Sequence, residues 1–123
     1  MFLETNGIHL CYEKTGSGPA MILLHGNGET HHIFDKAIES LKNHFTVYAV
    51  DTRGHGESSA VSEYHYKDMA DDIYGFIMQL GLCKPVLYGF SDGGIVGLML
   101  AIKYPGLLSR LIVSGANTHP FGI

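Results

Sequence analysis

Val86-Leu87-Tyr88-Gly89-Phe90-Ser91-Asp92-Gly93-Gly94-Ile95 decides how the rest of the chain is read. An apolar, strand-like run from Val86 to Tyr88 leads into Gly89-Phe90-Ser91-Asp92-Gly93, and an apolar, helix-like run from Ile95 to Ile102 follows. A G-x-S-x-G pentapeptide between a strand and a helix is a sharp turn that lifts its serine above the C-terminal edge of a sheet. Such a turn strains the backbone of its central residue, and glycines at 89, 93 and 94 keep side chains out of the crowded space around it. In a chain with 16 glycines the pentapeptide alone is weak, because a serine there could be a simple helix N-cap. The two flanks supply the specificity. A helix starting just after Ser91 aims the Asp92 N–H at the space where an oxyanion would develop, reinforced by the helix dipole.

Working toward the N-terminus, continuous apolar runs occur at Ala20 to Leu24 and at Phe45 to Val50. Strands buried on both faces of a parallel sheet have this pattern, without polar alternation. Phe2 to Thr5 and Ile8 to Glu13 flank Asn6-Gly7, a two-residue turn whose positions both tolerate positive φ, so an antiparallel hairpin opens the chain. Ile33, Ala37, Ile38 and Leu41 recur at helical spacing, as do Met69, Ile73, Phe76, Ile77 and Leu80, the second set stopped by Gly81. Leu108 to Val113 reads as a last strand. The order ββ-β-α-β-α-β-α-β predicts an α/β, doubly wound, mostly parallel sheet of about six strands with an N-terminal antiparallel hairpin.

Two loops share the sheet edge predicted for Ser91. His25-Gly26-Asn27-Gly28-Glu29 follows the first parallel strand, where a glycine-rich turn can aim backbone N–H groups at the same oxyanion. Asn27 is the expected second donor, beside Gly28, and His25 is expected to hold structure by hydrogen bonding. Asp51-Thr52-Arg53-Gly54-His55-Gly56-Glu57-Ser58 ends the next strand, and its glycines predict a turn held by Asp51 and Arg53. The sharper reading of that loop makes His55 or Asp51 a substitute acid-base pair. His31-His32 begins a helix with no suitably spaced carboxylate or third ligand, so these residues are expected to be exposed polar groups and no metal site is predicted. Tyr64-His65-Tyr66 is expected to start the next helix, with Asp68, Asp71 and Asp72 complementing its dipole.

Composition limits the partners. The 123 residues carry a formal charge of −4, with 46% apolar and 16% charged residues, and their eight Lys and Arg are scattered. No basic stripe exists to neutralise phosphates, so nucleic acid is not an expected partner. No nucleotide-binding fingerprint follows a strand, and no cofactor is expected. Cys11 and Cys83 read as reduced packing residues, the N-terminus lacks signal-peptide character, and no apolar run reaches a membrane span, which together predict a cytoplasmic location.

Together the segments HGNGE at 25 to 29, DTRGHGES at 51 to 58 and GFSDGG at 89 to 94 resemble the α/β-hydrolase fold superfamily, over the whole chain and in the expected order. The resemblance is greatest to small single-domain bacterial esterases, carboxylesterase-like enzymes and C–C bond hydrolases. It implies Ser91 as nucleophile and the N–H groups of Asn27 and Asp92 as the oxyanion hole. Serine at the turn sets the chain apart from the dehalogenase and epoxide-hydrolase branches, for which the resemblance implies aspartate. The family's acid and histidine follow in the order Ser, acid, His. Beyond Ser91 stand only Asp92 and, as the one histidine, His119, which reads as a loop residue. Residues 1–123 are therefore expected to be the N-terminal portion of a single hydrolase domain, without its later strands, cap, triad acid and histidine. Nearly no activity is expected of it alone, and the Leu108 to Val113 strand is expected to be an apolar edge open to self-association or to a complementing chain. The expected substrate is a small acyl compound; the alternative is a non-catalytic ligand-binding or interaction module on the same fold.

Overall fold

A computed structural model of the chain describes residues 1–63 and 65–115. Six strands form one sheet: β1 (Phe2–Thr5), β2 (Ile8–Gly16), β3 (Ala20–Leu24), β4 (Thr46–Val50), β5 (Val86–Phe90) and β6 (Arg110–Ser114), in the spatial order β1-β2-β4-β3-β5-β6. The β1–β2 and β2–β4 pairs are antiparallel, whereas β3 pairs in parallel with β4 and β5, and β5 with β6. A short 3₁₀ turn (His31–Phe34) leads into α1 (Asp35–Leu41), and α2 (Tyr66–Leu80) and α3 (Asp92–Lys103) complete the helices. None of these helices is long and apolar enough to cross a membrane.

Strand alternation sends neighbouring side chains to opposite faces, which explains why the parallel strands are apolar throughout. Ile22 and Leu24 join Tyr48, Val50 and Leu87 under α2 and α3, where Met69, Ile73, Phe76, Ile77, Val96 and Leu100 close the larger core. Met21, Leu23, Val47 and Ala49 face the other way, against Phe34 and Ile38. Helices thus cover both sides of the sheet. The opening hairpin turns through Asn6 and Gly7 at φ of 53° and 79°, and α2 ends on Gly81 at φ 65°. Both are left-handed positions where a larger side chain would be strained.

The boundaries differ from the sequence expectation where tertiary pairing overrides local pattern. Strand β2 runs to Gly16 because Lys14, Thr15 and Gly16 pair with Tyr48, Val47 and Thr46 of β4, despite their polarity. The last strand starts at Arg110 and ends at Ser114, opposite Val86 and Phe90; Leu108 lies before it and packs on the larger core. Helix α3 begins at Asp92, taking Gly93 and Gly94 into its first turn. Cys11 is buried as expected, but Cys83 is exposed. Tyr64 and His119 lie outside the described residues.

Candidate active site

Ser91 sits between β5 and α3 at φ 56° and ψ −116°, a conformation that non-glycine residues rarely adopt. Neighbouring glycines permit it. A Cβ on Gly89 would strike the Gly93 carbonyl, and one on Gly93 would strike the Leu24 carbonyl at the end of β3. The Ser91 N–H donates to the Ser114 carbonyl at 2.8 Å, and its own carbonyl accepts from Gly94 N–H at 2.9 Å, so both sides of the strained residue are tied down. Ser91 Oγ has no hydrogen-bond partner among the described residues. Asp92 N–H, the first of the helix, likewise has no acceptor among them, as helix geometry dictates for an N-terminal donor.

The residue 25–29 turn reaches the same place. A Cβ on Gly26 would lie 2.7 Å from Glu29 Oε1 and 3.0 Å from Ser91 Cβ, so a side chain there would crowd both the turn and Ser91. The turn is locked by Glu29, whose Oε1 accepts from Gly26 N–H at 2.8 Å while its N–H donates to the Gly26 carbonyl at 3.2 Å. Asn27, exposed at the tip, has a backbone N–H without an acceptor among the described residues. Asn27 and Asp92 together line a cavity of about 200 Å³ with His55, Tyr66 and Met69. Tyr66 donates its hydroxyl to Asp92 Oδ1 at 3.0 Å, which turns the Asp92 side chain toward α2. A larger apolar cavity of about 690 Å³, lined by Leu23, Glu29, Phe34, Tyr88, Phe90 and Ile112 among others, lies on the α1 face of the sheet.

Two imidazoles hold these loops in place. His25, only 1% exposed, donates Nδ1–H to the Gly26 carbonyl at 2.7 Å and accepts the Thr52 N–H on Nε2 at 3.1 Å. His55 accepts the Gly28 N–H on Nε2 at 3.0 Å and donates Nδ1–H to the Arg53 carbonyl at 3.0 Å. The 51–58 loop thus grips the 25–29 turn twice. The reading of His55 and Asp51 as an acid-base pair is overturned, since the Asp51 carboxylate turns to other partners. Its Oδ1 accepts from the His31 N–H and from His31 Nδ1, both at 2.8 Å, and its Oδ2 accepts from Glu57 N–H at 3.2 Å. Burial alone would push the Asp51 carboxyl up, but these hydrogen bonds outweigh it and hold it below its ordinary value.

Arg53 turns away from Asp51. Its Nε and Nη2 form a two-pronged pair with Asp72 at 2.7 and 2.8 Å, and Asn6 Nδ2 donates to the same carboxylate at 3.0 Å. Asp72 is therefore a buried anchor between α2, the 51–58 loop and the first hairpin, not a dipole-complementing surface charge. His31 is also buried, 6% exposed, contrary to the expectation for the His31-His32 pair. Glu13 of β2 supplies the carboxylate that local spacing did not show, with Oε2 at 3.2 Å from His31 Nε2.

His25 gives the fold a pH dependence of definite sign. Burial lowers its pKa below the ordinary value, because an imidazolium would lose solvation. The unfolded chain then binds the proton more readily, so this contribution to stability is complete above the unfolded pKa of about 6.5 and is lost as pH falls through the folded value. Urea unfolding at about pH 7.5 and about pH 5.5 is expected to give a lower midpoint in the acid sample, with a smaller difference in His25→Asn.

The family model for the alpha/beta hydrolase fold matches residues 19–123. A serine hydrolase from Mus musculus, BPHL, is 36% identical over 126 residues, covering 95% of this chain and 43% of that protein. The esterase EaEST from Exiguobacterium antarcticum superposes with a TM-score of 0.90 at 33% identity, covering 95% of this chain and 45% of its own. An epoxide hydrolase from Bacillus megaterium superposes with a TM-score of 0.86 at 30% identity, over 92% of this chain and 41% of its own. The chain thus spans under half the length of these relatives. Sheet order, the converging loops and these likenesses agree: the chain belongs to the α/β-hydrolase fold family.

Proposed function

We propose that the chain carries the nucleophile and oxyanion half of a serine hydrolase acting on esters or related acyl compounds. The observation behind this reading is Ser91 itself, held in a strained turn, with its Oγ and the N–H groups of Asn27 and Asp92 all without partners among the described residues. Backbone strain of this kind clusters at functional sites, and the neighbouring residues Phe90 and Asp92 each line a cavity. In the proposed reaction Ser91 Oγ adds to the acyl carbonyl carbon as a general base takes its proton. The carbonyl π pair moves to oxygen, and the Asn27 and Asp92 N–H groups stabilise the resulting oxyanion. Collapse expels the alcohol, which receives the proton, and water then cleaves the acyl-Ser91 ester. The names of the mouse serine hydrolase and the Exiguobacterium esterase support acyl chemistry, and serine at position 91 separates the chain from carboxylate-nucleophile mechanisms.

The base is proposed to come from outside the described residues. His25 and His55, the imidazoles of the two loops beside the turn, have both ring nitrogens engaged by the loops they hold. A fluorophosphonate probe tests the reading: in a polypeptide that joins this chain to a general base, mass spectrometry is expected to locate the adduct on Ser91. A folded protein of that kind with an unmodified Ser91 would sink it. A second reading, a ligand-binding module without turnover, is favoured by the engagement of those same imidazoles. Its signature is ligand affinity unchanged in Ser91→Ala, together with no hydrolysis across a broad ester panel.

The exposed edge is part of the proposal. Strand β6 pairs only with β5 among the described residues, and its Ile112 and Val113 are exposed beside the larger apolar cavity. Unpaired backbone groups next to apolar side chains are a template for another strand. The 123-residue polypeptide is expected to self-associate in light scattering as its concentration rises, and a lysine at Val113 is expected to reduce that association. A clean monomer with β6 amides protected from exchange would contradict it.

A further inference from the structure

We propose that Glu13, His31 and His32 form a zinc-class divalent-metal site, separate from Ser91. One donor atom from each of the three lies within 4.8 Å of the others, at a cavity of about 350 Å³ that Cys11 and Glu57 also line. The strand β2 supplies the carboxylate and the 3₁₀ turn supplies both imidazoles. Tertiary structure alone brings them together, which is why the adjacent histidines look isolated in the sequence.

The hydrogen bonds behind the two rings carry the argument. His31 Nδ1 faces Asp51 Oδ1 at 2.8 Å, and His32 Nδ1 faces Asp35 Oδ2 at 3.0 Å. In the tautomer that donates Nδ1–H to its carboxylate, each ring would offer Nε2 as its ligand atom. A carboxylate behind an imidazole fixes the tautomer, aims the ring and strengthens the other nitrogen as a ligand; metal-bound histidines share this arrangement. His31 is the rigid member, its side chain only 8% exposed and its backbone N–H also bound to Asp51. Glu13 and His32 are exposed, at 53% and 66%, and are free to adjust.

The spacing fits an ion. Two ligand atoms about 2.1 Å from a tetrahedral centre stand about 3.4 Å apart. His31 Nε2 and Glu13 Oε2 are 3.2 Å apart, close to the spacing that two ligands of one such ion would keep. Two imidazoles and one carboxylate are a donor set for Zn²⁺, and too poor in oxygen for Ca²⁺ or Mg²⁺. Water would complete the tetrahedron. The bound ion would tether β2 to the 3₁₀ turn and, through Asp51, to the 51–58 loop that holds Gly28 by way of His55.

Calorimetric titration of the untagged, metal-free chain with ZnCl₂ tests the site. One equivalent is expected to bind saturably, and Co²⁺ in its place is expected to show the strong visible absorption of a tetrahedral centre. His32→Ala and Glu13→Gln alter exposed side chains, so both variants should fold; each is expected to weaken Zn²⁺ binding by about 10–100-fold, whereas His65→Ala on another surface leaves it unchanged. His31→Ala, which also removes a partner of Asp51, is not needed for the conclusion. Absence of saturable binding, or equal affinity in His32→Ala and the parent, would overturn the proposal and leave the reading of Ser91 untouched.

Discussion

Ser91→Ala is expected to lower kcat on an ester substrate by on the order of 10⁶-fold when the chain is joined to a general base, because nucleophile and base act as one unit. On the proposed mechanism, only positioning and the oxyanion donors would remain without the hydroxyl, and such groups leave a residual rate of about 10³–10⁴ over water. The same substitution in the 123-residue polypeptide alone is expected to change far less. Among the described residues, the loop imidazoles His25 and His55 are bound at both nitrogens. Comparing initial rates for the four proteins measures how strongly Ser91 depends on its base. A large loss on Ser91→Ala in the short polypeptide would mean that a base lies among its own residues.

Arg53→Ala is expected to destabilise the fold by about 3–5 kcal/mol, the largest stability effect anticipated for any charged residue here. The reason is what remains afterward. Asp72 is 1% exposed, and its carboxylate would keep a single donor, Asn6 Nδ2, after losing both guanidinium bonds. An ionised group without its counter-charge in that position either stays at high cost or takes up a proton. Replacing both partners, Arg53→Met with Asp72→Leu, is expected to recover most of the loss, because burying a salt bridge already costs solvation on both sides. Urea unfolding of the parent, the single variants and the double variant gives the coupling directly. A single-variant loss under about 1 kcal/mol would show that water reaches the Asp72 carboxylate.

The features legible in the sequence were those that a few adjacent residues determine. Asn6-Gly7 encoded the hairpin because both positions need positive φ, and Gly81 marked the end of α2 for the same reason. Gly89, Ser91 and Gly93 mark the strained turn through their spacing together with the strand and helix runs on either side, and the apolar runs in β3 and β4 reveal burial on two faces. Long-range partners stayed hidden. Nothing near Arg53 indicated Asp72 as its counter-ion, and nothing near His31 indicated Glu13, since periodicity tells which face a residue occupies but not which residue meets it there. The spacing of the 51–58 loop makes Asp51 a clamp of its own turn. It is that through Glu57, but it also anchors the start of the 3₁₀ turn, a role visible only after β3 and β4 are placed side by side.

The strand order has a consequence for the chain as it is synthesised. Strand β2 leaves the ribosome early, yet its inner neighbour is β4, and β3 must move aside to lie beyond it. Until Val50 has emerged, the nascent hairpin has an open edge, and at about 5–20 residues per second that interval lasts seconds. The Asn6–Asp72 hydrogen bond closes later still, once α2 exists. The β1–β2 hairpin is thus secured late although it is made before the rest of the sheet, and conditions that slow elongation between β2 and α2 prolong the period in which that edge can pair with the wrong strand.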